Sequence, residues 1–460
     1  MRSFVLALAA MGVGTAAVAM PAAQDRVYTA DQNSNTVSVI DPSSNTLLGQ
    51  IRLGNPRPDV LSPLYRGEVN VHGLGFSPDH KTLIVISTVT NSAAFIDTAT
   101  NRVKGIAYVG RNPHEGFFTP NGKEAWVVVR GEDYLAVIDP TTFKETARIK
   151  TTGGPGMVIF SKDGKRAFLA NSFNPVVEVI DVAQRKVIKK IPVVSPFSPF
   201  IQITPDGKEV WSTHKDVGKV TRIDTTSLEV KGVIDTGFIT NHLAFAPSGG
   251  KTLAYVTVGG ENAVKIFTTD AAPQLVKTLP VGALPHGIWA SGDGSRVYVG
   301  LENGDAVDVI DTATNDVVAH VPIGQAPQAL VYVPRAVAQG DGRANLAPRP
   351  SSPPTVNIAL KASQGGGRGF VVARNLGLVD MLETNVFGLK PDTVYRVFLE
   401  RHDAPVAALK TNAKGMGSVA AIGPLRDIGA GTKPADAQTG ILVVEGDTAP
   451  SPTAAALTGR

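Results

Sequence analysis

Short stretches that alternate apolar and polar residues, rich in Val and Ile and each closed by a polar turn, run through most of this chain. A side-chain period of two is that of a β-strand with one buried face. The clearest stretch ends in Ile-Asp and occurs seven times, at 35–41 (NTVSVID), 92–97 (SAAFID), 134–139 (YLAVID), 176–181 (VVEVID), 219–224 (KVTRID), 263–268 (AVKIFT) and 306–311 (AVDVID). The last residues of these stretches lie 56, 42, 42, 43, 44 and 43 positions apart. A second mark keeps the same interval: PDHK from Pro78, PNGK from Pro120, KDGK from Lys162, PDGK from Pro205 and GDGS from Gly292. Asp-Gly and Asn-Gly suit tight hairpin turns because their residues tolerate positive φ.

Each repeat reads as four short strands, and four strands repeated at this interval make a propeller blade. The chain opens at 27–53 with only the second, third and outer strands of a blade. The missing innermost strand appears after the last repeat, at 326–334. The predicted fold is therefore all-β, a seven-bladed β-propeller (24–334) whose C-terminal strand closes the first blade and leaves the ring without a free end. A Pro-rich linker follows at 335–354, containing APRPSSPP. Residues 355–447 again alternate, with strands expected at 355–360, 369–373, 394–399 and 440–445, as in a small β-sandwich-like domain. Residues 448–460 read as a flexible tail.

Composition narrows the chemistry. The absence of cysteine among 460 residues excludes disulfides, thiolate metal sites, c-type haem attachment and cysteine nucleophiles. Basic and acidic residues number 44 and 40, a balance that gives no expectation of a nucleic-acid partner. The N-terminus has a basic start (Met1-Arg2-Ser3), an apolar run over 4–11 and small residues around Ala17-Val18-Ala19, the pattern of a cleavable signal peptide at 1–23. The mature chain is expected in the periplasm or outside the cell, with no membrane span after cleavage. P-loop, H-E-x-x-H, G-x-S-x-G and EF-hand motifs are absent.

Candidate chemistry comes from the repeat register. The position that opens each innermost strand holds His72, His114, Gly156, Pro199, His242, His286 and, in the closing strand, Gln328; four of the eight histidines share it. His242, His286, Gln328, His72 and His114 occupy five consecutive blades, so the imidazoles are expected along one arc of the channel mouth. Such an arc suits a transition metal, Zn or Cu, on His72, His114, His242 and His286, or an organic ligand, or packing of the mouth by histidines bonded to the next blade. The ends of the second strands place Asp31, Arg130, Glu132, Asn171, His214, Lys215 and Glu302 on the same face. With Gln328 they form the candidate ligand-binding set, and Arg130, His214 and Glu302 are the catalytic candidates. The long first spacing inserts residues 54–70 above this face, either as a lid or as a plain surface loop.

The phrases VYTADQNSNTVSVIDPSSN from Val27, AYVTVGGENAVKIF from Ala254 and VIDTATNDVVAHVPIGQAPQAL from Val309 resemble the YVTN family of bacterial seven-bladed propellers, the group of YncE-like proteins. The resemblance covers residues 27–334, and Thr268, where the family has Asp, departs from it. Its scaffold implies several functions, from binding modules to lactonases and metal or cofactor enzymes. FGLKPDTVYRVFL and EGDTAPSPTAAALTG are similar to the extracytoplasmic domain of anti-sigma-K factors. The leading expectation is an exported binding protein for a small molecule or metal at the histidine-lined mouth. The alternatives are a metal-assisted hydrolase, lyase or lactonase-like enzyme on the same face, and a scaffold for an envelope protein partner.

Overall fold

The computed structural model describes residues 21–54, 69–351, 355–362, 365–376, 379–400, 402–423, 425 and 440–459. The apolar run of the expected signal peptide and all but the ends of the 54–70 insertion lie outside the described residues.

Seven four-stranded antiparallel sheets form the propeller. The second blade is typical, with strands Val71–Phe76, Thr82–Ser87, Ser92–Asp97 and Val103–Tyr108 from the channel outward. Its two middle strands are buried almost throughout and its outer strand is largely exposed. This follows from the sequence: the middle strands pack on neighbouring blades with both faces and are nearly continuous apolar runs, whereas the outer strand has one covered face. The first blade joins the two ends of the ring. Pro327–Val333 is its innermost strand and pairs with Arg26–Asp31, from Arg26 opposite Val333 to Asp31 opposite Pro327.

After the closing strand the chain stays on the propeller. Thr98 Oγ1 donates to the Ala336 carbonyl, and Asn101 Nδ2 donates to those of Gly342 and Ala344. Gln50 and Ala347 exchange N–H···O bonds at 2.8 and 2.9 Å, and Leu346 packs over Gly49. The Pro-rich segment, as far as Ser351, is thus a strap. It runs beside the outer strand Thr46–Arg52 and partners that edge, which an unfastened linker would leave bare.

The C-terminal domain is one eight-stranded sheet. Its spatial order is Ala407–Lys410, Val394–Leu399, Ile441–Glu445, Leu457–Gly459, Val356–Ala362, Arg368–Asn375, Asp380–Phe387 and Gly417–Gly423. The two end strands approach each other where Gly417 lies against Leu409, so the sheet curls around one core containing Leu360, Val371, Val397 and Val443. The expected tail instead supplies a strand, because Leu457 is fully buried in that core.

Candidate functional site

The innermost strands set the mouth of the channel. In six of the seven blades their register with the second strand shifts at the position of the histidine ring: between Val71 and Gly73, Pro113 and Gly116, Pro155 and Met157, Thr240 and Leu243, Pro285 and Ile288, and, read on the partner strand, Thr29 and Asp31. A bulge places two residues against one and turns a side chain out of the pleat, here into the channel mouth. Left-handed residues just upstream, Asn70, Asn112, Leu284 and Ala326, launch these strands. Gly73, after His72, lets blade two meet blade three: a Cβ there would stand 2.2 Å from the His114 carbonyl oxygen.

The histidines stand as two ring pairs. His72 and His114 have centroids 4.3 Å apart, and His242 and His286 4.6 Å apart; Phe200 stacks on His242 at 4.1 Å. His114 Nδ1–H donates to the Gly156 carbonyl of the next blade at 2.8 Å, and His286 Nδ1–H donates to that of Gln328 at 2.7 Å. A carbonyl only accepts, so both rings carry their proton on Nδ1. These are the cross-blade bonds of the packing expectation. Among the described residues no group of three or more His, Asp or Glu is arranged to hold a metal ion, and the transition-metal expectation gains nothing from this geometry. Burial holds all four imidazoles in the neutral form: His72 and His114 fall well below the usual range, with the Arg130 cation adding to the effect, His242 likewise beside His286 and Lys215, and His286 to about 4.

The second ring divides in two. Asp31 is buried and accepts hydrogen bonds from Thr29, Thr36 and Ser38 at 2.6 to 2.9 Å. The Asn171 amide bonds the carbonyls of Thr152 and Gly153 and the backbone N–H groups of Phe173 and Asn174. His214 is fully buried, with Nδ1 at 2.9 Å from Ser198 Oγ and Nε2 at 2.7 Å from Thr221 Oγ1. Carrying hydroxyls on both nitrogens and no carboxylate, it forms no Ser-His-Asp set. Glu132 accepts the Arg111 N–H at the exposed rim. These four belong to the framework.

Arg130, Lys215, Glu302 and Gln328 face the mouth, and a residue that sequence reasoning missed, Glu115, is buried between blades two and three near the Arg130 cation. The bulge after His114 buries Glu115, and burial pushes its carboxyl well above the usual range despite a Leu74 N–H and the Arg130 cation. Burial lowers Arg130 to about 10, against the pull of Glu115. Burial likewise lowers Lys215, with Glu302 opposing, and no carboxylate lies within ion-pair distance of its ammonium among the described residues. Burial alone would raise Glu302, but His286, Lys215, a hydrogen bond from Gln328 and Arg374 together leave it below the ordinary value. Among the described residues, the buried Arg130 Nε, His72 Nδ1 and Glu302 Oε2 have no hydrogen-bond partner.

The C-terminal domain roofs this mouth. Arg374, 1% exposed, donates to the Glu302 carbonyl at 2.7 Å and to Asn303 Oδ1 at 3.2 Å, and lies 3.7 Å from Asp305. Lys414 pairs with Asp216 at 2.6 Å, and Phe387 meets Phe238 edge to face at 4.7 Å. Between roof and mouth is a cavity of about 440 Å³, with Lys215, Asp216 and Glu302 on the propeller side and Phe370, Glu383 and Phe387 on the other. That is the size of pockets that hold small organic molecules.

Known proteins resemble the propeller part. A protein called YncE from Salmonella typhimurium is 35% identical over 95 residues, 21% of this chain and 26% of its own, so the chain spans about a quarter of that relative's length. Among solved structures, hydrazine synthase of Kuenenia stuttgartiensis superposes with a TM-score of 0.53 at 23% identity, covering 58% of this chain and 91% of that one. A functionally unknown protein from Desulfotomaculum acetoxidans gives 0.57 at 14%, covering 67% and 98%. The periplasmic gluconolactonase PpgL of Pseudomonas aeruginosa gives 0.55 at 17%, covering 67% and 99%. At these identities the structural likeness is one of fold alone. The family model for YncE-like β-propellers matches residues 104–340, just over half of the sequence. With seven blades closed by the C-terminal strand and that match, this chain belongs to the YncE-like β-propeller family.

Proposed function

We propose that this protein is an exported small-molecule-binding propeller whose ligand carries a carboxylate or cyclic ester, held without a metal in the roofed cavity. The observation that carries the reading is the set of unpartnered polar atoms at the mouth. Leaving a buried donor or acceptor unpaired costs about 1 to 3 kcal/mol, and native folds keep few of them. Of the cavity lining, the Lys215 ammonium supplies a cationic donor for a carboxylate and Glu302 Oε2 accepts from a ligand hydroxyl, while the Arg130 guanidinium, with Nε unpartnered, adds positive charge beside Lys215.

A second reading, lactone hydrolysis, is favoured by one specific pairing. His72 is held neutral with Nδ1 unpartnered, beside the Arg130 cation. In the tautomer with its proton on Nε2, His72 accepts a proton at Nδ1 from a water whose oxygen attacks the ester carbonyl. Arg130 then stabilises the oxyanion, the ring C–O bond breaks, and the proton passes to the departing alkoxide. The fold shared with a periplasmic gluconolactonase agrees with this reading. A role for the C-terminal domain like that of the anti-sigma-K extracytoplasmic domain rests on sequence phrases alone.

Calorimetric titration of the purified protein with gluconate and other small carboxylates, beside pH-stat assays with gluconolactone, separates these readings. A saturable carboxylate signal that weakens at least tenfold in Lys215→Met and Arg130→Gln is expected from the binding reading. Ring opening above the spontaneous rate, lost about a hundredfold in His72→Ala, adds the enzyme. A protein that binds no carboxylate overturns the binding reading.

A further inference from the structure

Resting on that reading, we infer that the ligand is an amphiphilic carboxylic acid whose apolar, ring-bearing end is gripped by the C-terminal domain, so that this domain forms half of the binding site.

The cavity has a charged part and an aromatic part. Lys215, Asp216 and Glu302 lie on the propeller side, close to the neutral imidazoles of His72, His242 and His286, and Glu383 lies on the roof side. Both domains build the aromatic part, the propeller with Phe197 and Phe238 and the roof with Phe370 and Phe387. Phe370 and Phe387 come from neighbouring strands of the C-terminal sheet, Arg368–Asn375 and Asp380–Phe387, with ring centroids 6.0 Å apart. Phe238 rises from the propeller to meet Phe387, and its other partner is the Arg368 guanidinium, 4.1 Å from the ring centroid. A polyol acid would satisfy the charged floor and leave these rings facing water. An acid with an apolar tail fills both halves, and removing apolar surface from water supplies affinity that the floor alone lacks.

The roof is built to stay in register with the floor. Arg374 is buried and joins both halves directly, with Nη2 on the Glu302 carbonyl and Nη1 at 3.6 Å from Glu383 in the cavity wall. Asn357 Nδ2 donates to the Asn303 carbonyl and Gln325 Nε2 to that of Asn375, so two further bonds fasten the domain beside the mouth. On the other side of the cavity, Lys414 is held by Asp216.

The test is a series of probes, gluconate, acetate, phenylacetate, 3-phenylpropionate and 4-phenylbutyrate, titrated into the full chain and into Phe387→Ala, Phe387→Leu and Lys215→Met. Affinity is expected to rise along the phenyl series by up to about fourfold per methylene, the factor for burying one such group. Phe387→Ala should lose at least tenfold for 4-phenylbutyrate and far less for acetate and gluconate. Phe387→Leu, which keeps an apolar wall, should lose less, and an unchanged melting temperature in either variant shows that the domain is folded. Lys215→Met should weaken every probe. If gluconate binds as tightly as 4-phenylbutyrate and both Phe387 variants bind like the parent, the inference is overturned and the carboxylate reading stands. If no probe binds, both fall.

Discussion

A chain ending at Gln325 is expected to yield no folded propeller, whereas one ending at Ser351 unfolds cooperatively. The shorter chain lacks Pro327–Val333, in which all seven residues are buried, and with it the whole ladder to Arg26–Asp31. Leu330, Val331, Tyr332 and Val333 sit in two separate cores, those between the first blade and each of its neighbours. At about 1.5 to 3 kcal/mol for each large buried side chain, their loss is on the order of 10 kcal/mol, comparable to the entire stability of a typical domain. The chain ending at Ser351 keeps the closing strand and the strap bonds to Asn101 and Gln50. Urea unfolding followed by tryptophan fluorescence reads this directly, because Trp289 packs against both cores. A 1–325 chain with the parent's midpoint would refute closure by the terminal strand.

Acid is expected to destabilise the propeller well before ordinary carboxylate titration is complete. Burial lowers five imidazoles in the folded state, His214 and His286 to about 4 and His72, His114 and His242 in the same direction. Unfolding returns each to about 6.5, so between these values the unfolded chain binds protons that the folded one refuses. The stability held by these groups is therefore complete above pH 6.5 and lost as pH falls toward 4. For His214 and His286 it amounts to about 3 kcal/mol each at 1.36 kcal/mol per pKa unit. Two carboxyls act oppositely: burial raises Asp31 to about 7 and Glu115 well above its range, so each favours the folded state as pH falls. Five imidazoles oppose two carboxyls, so the expected net effect of acid is a loss of stability. Urea midpoints measured from pH 7 to 4.5 should fall steeply, and His286→Gln should flatten the slope by removing one proton-binding group. A midpoint constant over that range would show that the mouth histidines are not held neutral by burial.

The repeat interval determined the blade number, the four-strand pattern and the closure of the ring, because each blade is a local unit of about 43 residues whose apolar alternation is written in consecutive positions. It also determined which residues reach the mouth, down to His286 and Lys215, since register fixes where a strand begins and ends. Where a side chain points was decided one level up. Asp31, Asn171 and His214 end their strands facing the blade interior, while Arg130, Lys215 and Glu302, one residue later, face the mouth, because successive strand residues project to opposite faces. The bulges that aim the histidines and bury Glu115 come from the fit between neighbouring blades, as the contact of Gly73 with the His114 carbonyl shows. The roof was least legible. Lys414 meets Asp216 across 198 residues, and Arg374 meets Glu302 across 72. Local alternation specifies a strand and its apolar face, but which distant surface that strand comes to cover depends on shape and charge that exist only once both domains are folded.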